Sequence, residues 1–194
     1  MHPDAIVGRL SLEQQQRMVD HVRQLARQAP LYTPHMPGGQ PFRYQQTGAG
    51  WGWTSGYGGG YRYQREHPIT GDLLPAIPPE LAAFARQYGL EPDALLVNFY
   101  RPGARLGLHQ DRDERDLTAP VVSVSLGDTA TFLLGGQRRS DPVQRIELPS
   151  GTVMVLAGTN RMAWHGVATI HPGTAPAGLL RSPGRINLTF RRSQ

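Results

Sequence analysis

The sequence predicts a mainly β domain with flanking helices (α+β), built as a sandwich or jelly roll, and three observations carry that reading. Beyond Gly89, seven short runs rich in β-branched and aromatic residues follow one another, separated by Gly, Pro and Asp. Two of them, VSVSL (122–126) and RINLTFR (185–191), alternate with period two, the mark of sheets with one buried face. No helical pattern interleaves the runs, as a parallel α/β sheet would require. A chain of 194 residues, 39% of them hydrophobic, fits one domain with a sizeable core. Its 23 Gly and 17 Pro imply short strands and many turns rather than disorder.

The elements follow in order. Ser11 and Gln14 form a capping box, and Met18, Val22, Leu25 and Ala29 mark one face of a helix that Pro30 stops. From 31 to 63 the chain turns to Gly, Pro, Gln and aromatics without a GxGxxG fingerprint, which reads as extended ribbons and loops. A second helix follows Pro78 and Pro79. It carries Leu81, Phe84, Ala85 and Tyr88 on one face and ends at Gly89. The strands are expected at 94–100, 121–126, 130–134, 145–148, 152–157, 164–168 and 185–191.

Composition excludes several chemistries. With no Cys there is no disulfide, thiol nucleophile or Cys-built zinc site, so any metal sits on His and carboxylate. All 20 basic residues are Arg, which removes Schiff-base lysine chemistry and the Walker phosphate loop. The formal charge of +5 favours a polyanionic partner. No apolar run is long enough to cross a membrane, and residues 1–9 lack a secretory signal pattern, so a cytoplasmic protein is expected.

His109 and Asp111 stand at i and i+2, on one side of an extended segment, and His165 follows in another strand. Two imidazoles and a carboxylate on one face of a β-barrel leave open positions on a metal, as in non-haem Fe(II) oxygenases. His171 is a rival third ligand, set in a Pro/Gly-rich loop where a surface histidine is the simpler reading. The last strand places Arg185, Asn187, Thr189 and Arg191 on one face and Ile186, Leu188 and Phe190 on the other. Unpaired buried charges are costly, so something anionic should meet the two arginines. A dicarboxylate does so, forking onto one guanidinium while its other end chelates the metal beside the second, with Asn98 and Tyr100 supplying an amide and a phenol. The alternative is an exposed edge strand with solvated arginines.

Together, NFYRPGARLGLHQDRDE (98–114), VSVSLG (122–127), WHG (164–166) and RINLTFR (185–191) resemble the Fe(II)/2-oxoglutarate dioxygenases of the AlkB type, in order and spacing from about Gly50 to Arg192. The resemblance implies a double-stranded β-helix core at about 90–192, with an N-terminal helical and extended nucleotide-recognition lid at about 31–75. It implies Fe(II) on His109, Asp111 and His165, and 2-oxoglutarate and O2 as cosubstrates. Arg185, Tyr100 and Asn187 would hold the distal carboxylate, with Arg191 and Asn98 beside the chelated end. The implied reaction is oxidative demethylation of N-alkylated bases in DNA, and also in RNA, with release of formaldehyde and conversion of 2-oxoglutarate and O2 to succinate and CO2. The partner would be alkylated single-stranded DNA, or else double-stranded DNA or RNA, and the enzyme a bacterial cytoplasmic monomer. Trp53 would stack on a flipped base opposite the His109 ring, Tyr61 and Tyr63 would complete backbone and pocket contacts, and Asp113 would read the exocyclic edge. Arg105, Gln110, Arg112 and Arg139 would touch the strand backbone.

The lid segment 56–60 is richer in Gly than the family pattern and requires a one-residue shift between Trp53 and Tyr61. Two alternatives stay open: a same-fold oxygenase acting on RNA or a protein side chain, and a noncatalytic nucleic-acid-binding β-domain.

Overall fold

The computed structural model describes residues 5–56 and 60–194, so part of the lid segment 56–60 lies outside the described residues. The first strand, β1 (Ile6–Arg9), leads into α1 (Leu12–Gln28). Ser11 accepts from the Gln14 backbone while the Gln14 side chain accepts from the Ser11 N–H, closing the expected capping box. Then come β2 (Gln45–Gly50), the hairpin β3 (Gly52–Gly56) and β4 (Gly60–Gln64), and α2 (Pro79–Arg86). Past Arg86, the Gly89 N–H bonds Arg86 O at 3.0 Å and the Leu90 N–H bonds Ala85 O at 3.4 Å. These are the paired bonds of a helix end turned by a left-handed glycine, and Gly89 has φ +75°.

The remaining strands are β5 (Ala94–Tyr100), β6 (Leu106–His109), β7 (Val121–Gly127), β8 (Thr129–Leu134), β9 (Gln144–Leu148), β10 (Thr152–Leu156), β11 (His165–His171) and β12 (Arg185–Arg191). They form a six-stranded sheet in the order β1-β10-β7-β12-β5-β2 and a four-stranded sheet in the order β6-β11-β8-β9. All seven expected strands are present. The larger sheet also recruits β1 and β2 from outside the 90–192 stretch, and β2 lies within the stretch assigned to the lid. Short β1 and β6 had no alternating signal long enough to read.

Period-two alternation builds two cores. Val122, Val124, Leu126, Ile186, Leu188 and Phe190 pack with Met18, Val22 and Leu25 of α1 beneath the helices. Tyr100, Phe132, Leu134, Met154, Leu156 and Val167 pack together in a second cluster, to which both sheets contribute. The opposite face of β12 carries its polar residues toward this second layer. Because β12 runs between β7 and β5, it is a central strand, and the exposed-edge reading of its arginines falls.

β6 meets β11 as an antiparallel pair in which His109 and His165 are direct partners. Close approach there requires Gly166: a Cβ would lie 2.6 Å from Leu106 O and 3.0 Å from Gly107 O. Gly166→Ala should therefore force the two strands apart and destabilise the fold by about 1–3 kcal/mol. Gly107→Ala meets nothing within 4 Å and serves as the control. Urea denaturation of both variants checks this, and equal stability would contradict the packing described.

Candidate active site

The β6–β11 register sets two imidazoles side by side, their centroids 4.4 Å apart. Each ring is oriented by its own backbone. His109 Nδ1 lies 3.0 Å from Gly107 O and His165 Nδ1 2.9 Å from Ala163 O. With Nδ1–H donated to a carbonyl, each Nε2 presents a lone pair. These Nε2 atoms stand 3.7 and 3.6 Å from the two Asp111 carboxylate oxygens. One donor atom from each of the three residues lies within 4.8 Å of the others, and among the described residues no other such group occurs. Burial pushes His165 down to about 4, so the ring is neutral and basic toward a metal at neutral pH. Burial also opposes the Asp111 charge, but Arg191 and the two histidines outweigh it and hold the carboxyl well below its usual range. Two imidazole nitrogens and a carboxylate converging on one point fit Fe(II).

Across the sandwich, register aligns Arg185 with Tyr100 and Asn187 with Asn98. Arg185 is 1% exposed, its guanidinium 5.3 Å from the Tyr100 ring centre. One nitrogen donates to Ser125 Oγ at 2.9 Å, while Nε and Nη1 have no partner among the described residues. An orphaned, desolvated guanidinium in a small cavity shared with His109, Asp111 and His165 fits the far carboxylate of 2-oxoglutarate. Arg191 is already met: Nη2 donates to Asp111 Oδ1 at 2.7 Å and Nη1 to Glu114 Oε1 at 2.6 Å, which leaves Nε unpartnered. Asn98 Oδ1 is likewise buried without a partner. Asn187 lines the cavity, but its amide nitrogen is committed to Ser123 Oγ and Val124 O, and its oxygen accepts from Thr189.

A second cavity, of about 240 Å³, opens above the triad and contains Trp53, Tyr61, His109, Asp111 and Asp113. Trp53 stacks on Tyr61 with centroids 5.0 Å apart and planes 20° apart. Its indole N–H donates to Asp113 Oδ2 at 2.8 Å, tying the β3–β4 hairpin to the segment after β6. Phe42, Tyr44 and Trp164 complete walls that sequence reasoning left unassigned. Gln110 and Arg112 line the rim. The Gln110 amide, however, donates to Met162 O at 2.6 Å, so its donor end faces the protein. Arg139 is exposed, 4.8 Å over the Trp164 ring, and Arg105 is exposed on the approach to β6.

One expectation is corrected: His171 is not in a loop but ends β11, and its Nε2 lies 2.7 Å from Thr131 Oγ1 and 3.3 Å from Glu147 Oε2, outside the triad. The Tyr63 hydroxyl donates to Glu114 Oε1 at 2.7 Å and accepts from Arg191 at 3.1 Å, so its polar end faces the protein. The residues missed altogether are Glu114, whose side chain is 0% exposed, and Arg161, paired with it at 3.3 Å. Charge counting points to Glu114, since two buried arginines and one buried Asp leave a carboxylate wanting; no pattern in the sequence points to Arg161.

Comparison with known proteins agrees with this geometry. The family model described as the 2OG-Fe(II) oxygenase superfamily matches residues 5–191. An alpha-ketoglutarate-dependent dioxygenase AlkB homolog of Caulobacter vibrioides is 45% identical over 98% of this chain and 87% of its own. The DNA N(6)-methyladenine demethylase ALKBH1C of Arabidopsis thaliana is 38% identical over 68% of this chain and 35% of its own. The solved structure of OsALKBH1 superposes with a TM-score of 0.81 at 33% identity, covering 97% of this chain and 98% of that one.

Removing either imidazole of the triad should abolish Fe(II) binding measured by anaerobic calorimetry, whereas His171→Ala should bind like the parent. Iron retained by His165→Ala and lost by His171→Ala would reverse the ligand assignment.

Proposed function

The chain belongs to the 2OG-Fe(II) oxygenase superfamily, and from that premise we propose that it oxidatively removes alkyl groups from N-alkylated bases of DNA. The observation that carries the reading is one continuous arrangement. An aromatic cavity sized for a base sits over the His109–Asp111–His165 triad, and beneath the triad lies a buried arginine lacking a carboxylate. A noncatalytic binding domain has no use for the triad and the buried arginine, and the Asp113 carboxylate set in the aromatic cavity favours a base over a protein side chain.

His109, Asp111 and His165 would hold Fe(II), and Arg185 with Tyr100 would hold 2-oxoglutarate by its distal carboxylate, with Asn187 on the cavity wall and Asn98 and Arg191 near the other end. Bound there, iron with 2-oxoglutarate and O2 supplies the oxidation of an N-alkyl carbon, yielding succinate, CO2 and, for a methyl group, formaldehyde. The chain's own part is placement. Trp53 and Tyr61 offer flat faces to a base taken out of its stack, and the His109 ring faces the same cavity. The Asp113 carboxylate, held by the Trp53 indole, accepts from an exocyclic amino group, which suits adenine and cytosine. Phe132, Leu156 and Val167 exclude water from the cofactor cavity. Arg112 and Arg139 are exposed beside the mouth and Arg105 is exposed before β6, positions open to strand phosphates, while the Gln110 amide keeps its donor end on Met162 O.

Unstacking and unpairing a base costs a few kcal/mol in a duplex, which favours single-stranded alkylated DNA. Among the described residues no helix is long and apolar enough to cross a membrane, and the absence of Cys suits a cytoplasmic setting.

Succinate and formaldehyde release with single-stranded DNA, duplex DNA and RNA oligonucleotides carrying methylated adenine or cytosine tests the proposal. Turnover on none of them would overturn it. Arg185→Lys should weaken 2-oxoglutarate binding by roughly thirty-fold to several thousand-fold in calorimetry, because an ammonium cannot replace the fork. Trp53→Ala should raise KM for a methylated oligonucleotide by roughly five- to 150-fold while leaving substrate-free turnover of 2-oxoglutarate near the parent rate. Loss of both together would instead make Trp53 a core residue.

A further inference from the structure

Asp111 is held by more than the metal site requires. Arg191 bonds its carboxylate at 2.7 Å, and Arg161 bonds its backbone carbonyl at 2.7 Å. Both guanidinium groups converge on one carboxylate, that of Glu114, at 2.6 and 3.3 Å. The Tyr63 hydroxyl, carried by hairpin strand β4, donates to the same Glu114 oxygen at 2.7 Å. Arg161 is further anchored on Ala119 O at 2.8 Å. Two acids thus face two arginines in a layer from which water is excluded, for Asp111, Glu114, Arg161 and Arg191 are all buried.

Glu114 does not line either cavity, so it has no route to substrate or cofactor. Its position is explained by what its charge does to its neighbours. Without it, Asp111 would be the only acid facing two guanidinium groups, Arg191 on its carboxylate and Arg161 on its backbone carbonyl, an excess of one positive charge behind a metal ligand.

We propose that Glu114 is a positioning residue for the metal centre: together with Asp111 it balances Arg191 and Arg161, so that no net positive charge stands behind that ligand when it meets a divalent cation, and it links the ligand to the lid hairpin through Tyr63. The inference rests on the reading of His109, Asp111 and His165 as a metal site. The partners of metal ligands commonly set affinity by about 10–100-fold.

The test is Mn(II) binding by calorimetry, needing neither 2-oxoglutarate nor turnover. Glu114→Gln keeps the shape and a hydrogen-bond acceptor but removes the charge, and should weaken Mn(II) binding about 10–100-fold. The double variant Glu114→Gln with Arg161→Gln removes a neutral pair and should recover most of that loss. A merely structural role predicts the reverse, since the second substitution strips further hydrogen bonds from Asp111 O and Ala119 O. Unchanged affinity in Glu114→Gln, or a double variant no better than the single, overturns the proposal. Should Glu114→Gln fail to fold by circular dichroism, Tyr63→Phe decides: losing one bond to Glu114 should weaken Mn(II) severalfold, and parent-like affinity overturns the proposal. A parent protein that binds no Mn(II) would instead refute the metal-site reading itself.

Discussion

A guanidinium buried within a β-sheet must find a counter-charge, because an unpaired ion in low dielectric costs several kcal/mol. β12 buries two, and they are satisfied differently. Arg191 is satisfied from within by Asp111 and Glu114, which fixes the carboxylate of the triad. Arg185 is given only a serine hydroxyl and a tyrosine face, and no acid among the described residues pairs with it. One strand therefore carries a closed ion-pair network at one end and a guanidinium with no paired carboxylate at the other.

The sandwich turns those demands into geometry. Antiparallel register places Arg185 opposite Tyr100 and His165 opposite His109, so side chains distant in sequence arrive on a shared face without any loop having to be shaped around them. Loops contribute only what the ladder cannot: Asp111 follows β6 directly, and Arg161 follows a short 3-10 turn at Gly158–Asn160. The hairpin then closes the top, its position pinned by Trp53 on Asp113 and Tyr63 on Glu114.

Much of this was legible in the sequence, for identifiable reasons. VSVSL and RINLTFR declared their faces by alternation, and the polar face of the second was too charged to be solvent-free without partners. The Ser11 capping box and the Gly89 helix end were local patterns with local causes. Glu114 escaped because its alternation breaks: Asp111 and Glu114 are both buried with exposed Arg112 and Asp113 between them, which only an irregular segment allows. Tyr63 was assigned from the family resemblance; it pairs directly with Trp53 across the hairpin, but its hydroxyl reaches Glu114 and Arg191 whereas the Trp53 indole N–H reaches Asp113. His171 looked like a loop residue from the following Pro and Gly, but strand β11 extends to it before those residues act.

The pairing of His109 with His165 across β6 and β11 has a thermodynamic side. β6 is the outermost strand of its sheet and only 4 residues long, so its ladder is a weak seam. A cation gripping both imidazoles is bound only when that seam is closed, and at a hundredfold excess over its dissociation constant such a ligand adds about 2.7 kcal/mol to folding. Such a cation would hold the seam closed, and with it cover the N–H and C=O groups of β11 that an unpaired edge would offer to another chain.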